Sequence, residues 1–330
     1  MTDITIKLIN AVLAVVAGIG IALALYWVLN KLAELLPGRN EDRIKPYLYI
    51  LPAYLAITVY LIWPTIQSVI ASFQNDIGTE WVGTDNYTKL LSDPAFRSTI
   101  YNTFLWMLVV PAACIVIGLA VATLADRLSP RGEKFSKTII FLPMAISAIG
   151  AATVWNFVYE TRPEGQPQIG LLNAIVTAFG HAPVAWLEQS QLHFNSFMLM
   201  VVLLWAQVGF SMVLLSSAVK GVPVDTLEAA RIDGANEWQI FFRVVIPQIK
   251  GTIITVFITV LITVMKIFDI IYVMTNGNFN TNVVGNEFYN QFSTYFNNGT
   301  ASAIVVMLMI AVIPIMIYQV RHFKAEEAAA

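Results

Sequence analysis

Long apolar runs alternate with short charged segments along this chain. A bilayer core of ~30 Å needs about 20 mainly apolar residues per helix. Five long runs contain no Asp, Glu, Lys or Arg, and they cover residues 8–30, 46–75, 98–125, 138–159 and 189–219. Two later apolar runs are interrupted by polar residues, and they cover residues 251–275 and 288–320. The pattern predicts seven membrane-spanning helices.

A further uncharged run, residues 165–187, is not predicted to span the membrane. Its polar residues and prolines leave about a dozen apolar positions, and runs of that length are more often interfacial or buried helices. The interrupting residues are Gln166, Pro167, Gln168, Asn173, His181 and Pro183. An eighth span here would move every later loop to the opposite side of the membrane.

Composition supports the same class of protein, because 57% of the residues are apolar and 12% are charged. Globular domains have about 45–50% apolar and about 25% charged residues. The predicted fold class is an all-α membrane protein, a polytopic bundle of about seven transmembrane helices. Two regions are predicted, an N-terminal helix with its linker over residues 1–45 and a transmembrane domain over residues 46–330.

Lys and Arg are divided unevenly between the two alternating sets of loops. Fourteen lie in one set together with the carboxyl-terminal tail, whereas the other set holds four, Lys7, Lys89, Arg97 and Arg162. Basic residues in short loops are retained on the cytoplasmic side. We therefore expect the amino terminus outside, and the loop of residues 220–250 and the carboxyl terminus in the cytoplasm.

The first apolar run has a second interpretation, a cleaved signal peptide, because a basic residue precedes it and Ala22-Leu23-Ala24 offers a cleavage site. Cleavage would leave the basic segment 31–45 outside, against the charge distribution. The run is also long for the apolar part of a signal peptide. A retained helix is the favoured interpretation.

Several classes of function are excluded by charge and motifs. A net charge of −2 and the lack of a basic aromatic stripe argue against a nucleic-acid partner. The single cysteine, Cys114, cannot form a disulfide within the chain. The sequence has no phosphate-binding Gly-x-x-x-x-Gly-Lys-Ser/Thr loop and no His-Glu-x-x-His motif. No catalytic residue and no metal site are predicted, and this chain is not expected to hydrolyse ATP by itself.

The polar segment between the fifth and sixth runs, residues 220–250, predicts a short helix near its start. Pro223 suits the first turn of a helix, where its missing N–H costs nothing. Asp225 and Glu228 place negative charge at the positive end of the helix dipole. Ala229 and Ala230 favour helix, and their small side chains allow another surface to approach the backbone closely.

A turn and a second helical stretch are predicted after this helix. Gly234 can adopt positive φ and turn the chain sharply. The amphipathic residues 238–246 then predict a second stretch that Pro247 ends before the sixth span. The segment is expected to form a helix-turn-helix along the inner face of the membrane.

The whole segment resembles the EAA loop of permease subunits of ATP-binding-cassette importers. The Glu-Ala-Ala triplet alone would be typical of many amphipathic surface loops, but the match is longer, keeps the family's spacing and lies between two predicted spans. The matching residues are Glu228, Ala229, Ala230, Asp233, Gly234, Ala235, Phe241 or Phe242, Val244 or Val245, Ile246 and Pro247.

Other segments extend the resemblance to sugar-type permeases over about residues 46–324. They are residues 81–87 and 90–96 with Asn102-Thr103, Phe141-Leu142-Pro143 at the next helix, and residues 271–277 at the end of the sixth span. Residues 164–173 look most like alpha-glucoside permeases, a narrower match that depends on one external loop. The resemblance implies a six-helix type I importer core, to which this chain adds one N-terminal helix.

The resemblance also implies partners and a location. They are a second, different permease subunit, two cytoplasmic ATPase subunits, an external sugar-binding protein and the lipid of a bacterial inner membrane. ATP and Mg²⁺ would be bound by the ATPase subunits, and this chain would bind no cofactor. The EAA loop would sit in a cleft of an ATPase subunit, so that closure of the ATPase pair switches the helices between inward-open and outward-open.

Lys266 and Asp269 are the first candidates for contact with the solute. A charged group at the centre of a membrane helix costs about 2.5–3.5 kcal/mol on insertion scales and rarely faces lipid. Their spacing predicts one shared helix face. Two interpretations stay open: an internal ion pair that touches no ligand, or a polar lining that binds sugar hydroxyls.

Further solute candidates lie in the earlier spans. A pyranose presents a C–H face that stacks on aromatic rings, and its hydroxyls need paired donors and acceptors. Aromatic residues in membrane helices are also commonly packing or interface residues, and amides can bond neighbouring helices. The candidates are Trp205, Gln207, Gly209 and Phe210 in the fifth span, with Asn102 and Asn156 as weaker additions.

The leading hypothesis is a permease subunit of an ATP-driven oligosaccharide importer, with an alpha-glucoside such as a disaccharide as solute. A seven-helix receptor would share the number of spans and an external amino terminus, but it has no need for the EAA pattern. An ion-coupled secondary transporter would work alone, and no inverted repeat is visible to favour it.

Overall fold

The all-α prediction is confirmed by the computed structural model, which describes residues 2–34 and 39–329. Within these ranges the only extended pairing is an isolated bridge between Gln74 and Trp81. The chain divides into two compact units, residues 1–68 and residues 69–330. The predicted region boundary at residue 45 stays a prediction, and the predicted linker of residues 31–45 lies partly outside the described residues.

The first unit consists of two long helices and the start of a third. Helix α1 covers Thr2–Glu34 and α2 covers Arg39–Ile57, followed by a π-helical turn at Thr58–Ile62 and α3 at Trp63–Ala71. Helices α1 and α2 pack through Tyr26 and Tyr49, whose ring centroids are 5.8 Å apart, and the Tyr49 hydroxyl donates to Asn30 Oδ1 at 2.9 Å.

The second unit contains thirteen further α-helices in the described part of the chain, some of them a single turn long. They are α4 (Asp85–Ser92), α5 (Pro94–Ala125), α6 (Pro130–Phe141), α7 (Ala148–Tyr159), α8 (Leu171–Ala178), α9 (Phe194–Lys220), α10 (Val224–Ile232), α11 (Glu237–Ile240), α12 (Ile246–Gln248), α13 (Lys250–Met265), α14 (Asp269–Met274), α15 (Val284–Tyr289) and α16 (Asn298–Ala329).

Helices α5, α9 and α13 form the centre of this second unit. Small residues let these helices approach closely, as is usual in membrane bundles. At Gly118 of α5, an added Cβ would lie 3.1 Å from Ser211 Cβ and from the Met212 nitrogen of α9. Met212 at this contact is fully buried, and so is Trp106 farther along α5.

Five described helices are long and apolar enough to cross a membrane, and seven spans result when each of two bent helix pairs counts as one. The continuous spans are Thr5–Lys31, Arg43–Ala71, Pro94–Ala125, Gln191–Lys220 and Asn298–Arg321. The bent pairs are Pro130–Ala145 with Ala148–Tyr159, at 105°, and Glu237–Gln248 with Lys250–Met265, at 70°. Seven spans agree with the sequence prediction in number.

The fourth and sixth predicted spans are wrong in detail, because neither is a continuous helix. In the fourth, Pro143 lies in a 3₁₀ turn and Ser147 caps α7 by accepting from the Gly150 N–H at 3.1 Å. In the sixth, α13 ends at Met265 and residues 266–268 are not α-helical. Residues 165–187 hold only the short helix α8, and no candidate span in the described chain includes them.

Two π-helical turns share a cause. A proline clashes with the carbonyl four residues before it. The turn Thr58–Ile62 contains the carbonyl that Pro64 would meet, and the turn Phe241–Val245 contains the one that Pro247 would meet. A π turn widens the helix and relieves this clash. Each chain segment therefore continues as helix through its proline, and the break after Pro247 comes at Ile249.

Candidate functional site

The first helix of the loop over residues 220–250 forms as the sequence predicts. Helix α10 covers Val224–Ile232, with Pro223 at the position before its first residue and Asp225 in its first turn. Glu228 and Ala229 are exposed, whereas Ala230 packs against the core. Among the described residues, Glu228 has no ion-pair partner within 4 Å. The carboxylate is thus free to meet another protein.

Gly234 makes the turn between α10 and α11, with φ of +81°. The N–H of Gly234 donates to the Arg231 carbonyl and the N–H of Ala235 donates to the Ala230 carbonyl, each at 3.0 Å. These two bonds form a Schellman motif, which satisfies carbonyls at the end of a helix. Ala230 and Ala235 both pack on the core beneath the turn. The turn is therefore fixed in direction.

Helix α11 begins with a capping box that the sequence reading missed. Asn236 Oδ1 accepts from the Gln239 N–H at 2.9 Å, and Gln239 Oε1 accepts from the Asn236 N–H at 2.9 Å. The Asn-x-x-Gln spacing is a readable signal for a helix start. Together with the Gly234 turn, it fixes both ends of the connection.

One exposed ion pair spans the same turn. Arg231 Nε lies 3.1 Å from Glu237 Oε1, and this hydrogen bond raises the pKa of the Arg231 guanidinium above its ordinary value. Exposed pairs contribute little to stability, because water and salt screen the attraction. The pair therefore adds little to what the backbone bonds and caps provide.

The loop has a buried side and an open side. Val222, Ile240 and Val245 are buried in the core of the second unit. On the open side, Ile232 is 86% exposed and Trp238 is 74% exposed. Ile246 is half-buried and Pro247 is exposed at the end of the loop. The arrangement can present α10 to a partner while its base stays anchored in the helix bundle.

The structure corrects the predicted geometry of Lys266 and Asp269. They do not share a helix face, because α13 ends at Met265 and α14 begins at Asp269. Lys266 is exposed and Asp269 is half-buried. No ion pair within 4 Å joins these two described residues. The internal ion pair that the sequence left open is therefore absent, and both groups remain available for other partners.

Three aromatic rings lie beside this break and were missed from the sequence. The ring centroid of Phe268 is 5.1 Å from that of Tyr272 and 4.7 Å from that of Tyr289, and the two tyrosines are 4.9 Å apart. Phe268 and Tyr272 are four residues apart, but Tyr289 joins them only through the fold of α15. Rings next to polar groups suit the faces and hydroxyls of a sugar.

The other solute candidates fall into two groups. Helix α14 packs against α7 and α9, which carry Asn156 and Trp205 respectively. Trp205 meets Trp155 edge to face, with centroids 5.9 Å apart. Gln207, Phe210 and Asn156 are half-buried. The structure thus places the elements that carry Asn156, Trp205 and Asp269 side by side.

Gly209 and Asn102 have packing roles in the structure. An added Cβ at Gly209 would lie 2.5 Å from the Ile140 carbonyl oxygen, so this glycine lets α6 approach α9. Asn102 is fully buried, and its Nδ2 donates to the carbonyls of Asn280 at 2.8 Å and Asn282 at 3.0 Å. Asn102 thereby fastens the loop before α15 to α5.

A comparison with protein families identifies the class. The family model described as the inner membrane component of binding-protein-dependent transport systems matches residues 114–324. This chain belongs to that family. Membership decides against the seven-helix receptor and the ion-coupled transporter. The chain is a transport subunit of an ATP-binding-cassette importer, and ATP hydrolysis takes place on separate ATPase chains.

Two curated relatives are similar over most of this permease. It is 44% identical to the alpha-glucoside transport system permease protein AglF of Rhizobium meliloti, over 97% of this chain and 98% of that protein. It is 45% identical to the osmoprotective compounds uptake permease protein GgtC of Synechocystis, over 85% of this chain and 99% of that protein.

A solved structure has the same fold. A chain of a bacterial ABC transporter involved in the import of the acidic polysaccharide alginate superposes with a TM-score of 0.74, covering 87% of this permease and 99% of that chain at 20% identity. This likeness confirms the type I importer fold of the permease.

Proposed function

We propose that this permease pairs with a second, different permease subunit and two ATPase subunits in an importer of alpha-glucosides. An external binding protein delivers the solute, and ATP with Mg²⁺ binds to the ATPase subunits. The amino terminus faces outward, and the loop over residues 220–250 and the carboxyl terminus face the cytoplasm of a bacterial cell, as the distribution of Lys and Arg indicates.

The coupling role is carried by the exposed Glu228 and Ala229 surface on a turn of fixed direction. The Schellman motif at Gly234 and the capping box at Asn236 prevent α10 from swinging independently. A partner that moves α10 therefore moves the base of the loop. In this proposal the surface and the fixed turn that couple to an ATPase subunit are formed by Glu228, Ala229, Ala230, Asp233, Gly234, Ala235, Ile246 and Pro247.

Alpha-glucosides are favoured as solutes by the extent of one similarity. The alignment with the alpha-glucoside permease covers 97% of this chain and so includes most of residues 1–45, which contain the added helix. The alignment with the permease for osmoprotective compounds covers 85%. The identity percentages alone do not separate these two classes of solute.

The solute site is proposed at the break between α13 and α14. Lys266 and Asp269 supply a donor and an acceptor that are not engaged with each other, and Phe268, Tyr272 and Tyr289 supply ring faces. Asn156, Trp205, Gln207 and Phe210 extend this lining on the neighbouring helices. Gly209 and Asn102 support it through packing.

The partners can be tested by purification of a tagged permease from its native membrane in mild detergent. We expect an ATPase subunit and a second permease to co-purify with it, with two ATPase subunits for each copy of this chain. A Glu228→Gln variant should retain the second permease and lose most of the ATPase, because the glutamate surface contacts the ATPase alone. Glu237→Gln, on the same loop, is the matched control. Equal ATPase recovery from both variants would argue against the coupling role.

The solute can be tested in proteoliposomes that contain the purified complex and its binding protein. Labelled maltose and cellobiose differ only in the configuration of the glycosidic bond. We expect ATP-dependent uptake of maltose and much less of cellobiose. Equal uptake of both, or uptake of neither, would contradict the assignment of alpha-glucosides.

A further inference from the structure

Four charged residues form one cluster at the end of the bundle from which α10 emerges. Lys137 Nζ lies 2.6 Å from Asp126 Oδ1 and 2.6 Å from Glu133 Oε1. Lys220 Nζ is also paired with Glu133, and it lies 3.6 Å from Asp126 Oδ1. Two ammonium groups thus share two carboxylates, and the charge of the cluster sums to zero. We call these four residues the charge clasp.

The charge clasp joins three helices. Asp126 directly follows the end of α5, Glu133 and Lys137 lie on α6, and Lys220 is the last residue of α9. The buried Ser216 of α9 adds a hydroxyl that accepts from Lys137 and donates to Asp126 at 3.3 Å. The side chains of Asp126, Glu133 and Lys137 are about four-fifths buried, which makes these bonds less screened by water than surface pairs.

The same three helices are also fastened farther from the loop. Gly209 holds the end of α6 against α9, and Gly118 holds α5 against α9. Helix α6 is therefore fixed to α9 at both of its ends, by close backbone packing at one and by the charge clasp at the other. The charge clasp is thus the attachment of α5, α6 and α9 that lies nearest to α10, and close backbone packing is the attachment farther away.

The connection from the charge clasp to α10 is short and is held by backbone hydrogen bonds. Only Gly221, Val222 and Pro223 separate Lys220 from α10. The Gly221 N–H donates to the Ser217 and Ala218 carbonyls, each at 3.1 Å, and Val222 is buried. A displacement of α10 is therefore expected to displace Lys220 as well.

We propose that Asp126, Glu133, Lys137 and Lys220 are positioning residues that pass the movement of α10 from α9 to α5 and α6. Without the charge clasp, the end of α9 can move with α10 while α5 and α6 stay in place. ATP hydrolysis then no longer drives the movement of α5 and α6. This inference rests on the proposed coupling role of α10. It extends that role from the loop surface to the helices behind it.

The test compares Lys220→Gln, Lys220→Arg and Lys134→Gln in the reconstituted complex with its binding protein. Labelled maltose transported per ATP hydrolysed is measured beside the ATPase rate and the melting temperature. Lys220 is half exposed, so loss of its charge should leave the complex assembled. We expect Lys220→Gln to lower the transport-to-ATP ratio at least about fivefold, as the lower end of ordinary coupling energies gives. Lys220→Arg and the exposed control Lys134→Gln should retain the ratio.

A double variant separates transmission from simple stabilisation. Glu133→Gln with Lys220→Gln removes one pair of opposite charges and leaves Asp126 and Lys137 balanced. Any decrease of the melting temperature in Lys220→Gln should therefore be reversed in the double variant. The transport-to-ATP ratio should remain low, because α9 has lost its charged residue in the clasp. Recovery of both stability and ratio would overturn the proposal. If the wild-type complex couples uptake to ATP hydrolysis and the Lys220→Gln ratio lies within about twofold of the wild-type ratio, the proposed role of the charge clasp is wrong. The coupling role of α10 would not be affected by that result. A wild-type complex without ATP-driven uptake of maltose would contradict the proposed function, on which the clasp rests.

Discussion

The turn at Gly234 and the break at Lys266 both interrupt helices, yet they are stabilised by different parts of the chain. The Gly234 turn is held by bonds between residues five apart or fewer. The Lys266 break is packed against α15, where an added Cβ at Gly285 would lie 2.5 Å from the Ile267 carbonyl oxygen. One interruption is local in the sequence, and the other depends on a helix about twenty residues later.

This difference suits the two proposed tasks. A surface that transmits movement needs a fixed shape that does not change when the bundle rearranges, and local bonds provide it. A solute site between helices must open and close as the bundle rearranges, and its shape therefore depends on contacts between helices. The contrast predicts distinct consequences when each interruption is altered.

Gly285→Ala should have the largest effect, because its methyl group would overlap a backbone oxygen that cannot move independently. Overpacking of this kind costs about 1–3 kcal/mol or more. We expect a lower melting temperature in detergent and loss of uptake. Gly18→Ala, where an added Cβ meets nothing within 4 Å, is the control and should not lower the melting temperature. An unchanged melting temperature for Gly285→Ala would mean that α15 does not hold the break.

Gly234→Val should have the next largest effect, for a different reason. Nothing lies within 4 Å of an added Cβ, but φ is +81°, a conformation that a β-branched residue strongly resists. Such strain costs about 1–3 kcal/mol. Because 1.4 kcal/mol corresponds to a factor of ten, we expect uptake to fall by about tenfold or more. The maltose concentration for half-maximal uptake should be unchanged. Gly234→Asn should retain most activity, since asparagine tolerates positive φ. Equal activity of the Val and Asn variants would contradict the role of the Gly234 turn in coupling.

Asp269→Asn and Lys266→Gln should have smaller, selective effects. Neither residue is paired with the other, so neutralisation leaves no buried partner charge and the melting temperature should hold. Loss of a hydrogen bond that involves a charged group costs about 1.5–3 kcal/mol. We expect a rise in the maltose concentration for half-maximal uptake, with basal ATPase activity retained. An unchanged concentration dependence in both variants would remove these residues from the proposed site.

Asn236→Ala should have the smallest effect. Loss of a helix N-cap costs about 0.5–2 kcal/mol, and here it affects only the short helix α11. We expect a small decrease in melting temperature and near-normal maltose recognition. Asn236→Ser, which can still cap, should restore the melting temperature. A change in solute preference in the alanine variant would show that the two regions are not independent.

Sequence patterns predicted the parts of this molecule that are determined locally. The apolar runs gave the number of spans, and the residues around Gly234 gave the turn that the structure contains. The same reasoning missed the bend near Pro143 and the break at Lys266, because hydropathy does not report where a helix is interrupted. It also missed the rings at Phe268 and Tyr289, which only the fold brings together.

Site roles were harder to predict than elements. Asn102 looks like a solute-binding amide in the sequence, but in the structure its donors are occupied by two carbonyls about 180 residues away. The charge clasp shows the converse. Its residues lie at positions 126, 133, 137 and 220, and no sequence spacing indicates that Lys220 meets Glu133. Long-range polar pairing depends on helix packing that a single sequence does not specify.

The most direct test of the central claim is a photo-crosslink from α10. A photoreactive amino acid at Ile232, which is 86% exposed, probes the coupling surface, and the same residue at Phe179, which is 78% exposed, probes a segment predicted to face outward. The membrane complex is irradiated and the crosslinked products are identified by mass spectrometry. We expect an ATPase subunit to be crosslinked from position 232 and not from position 179. A product from position 232 that contains the external binding protein, or no ATPase subunit, would contradict the proposed coupling surface.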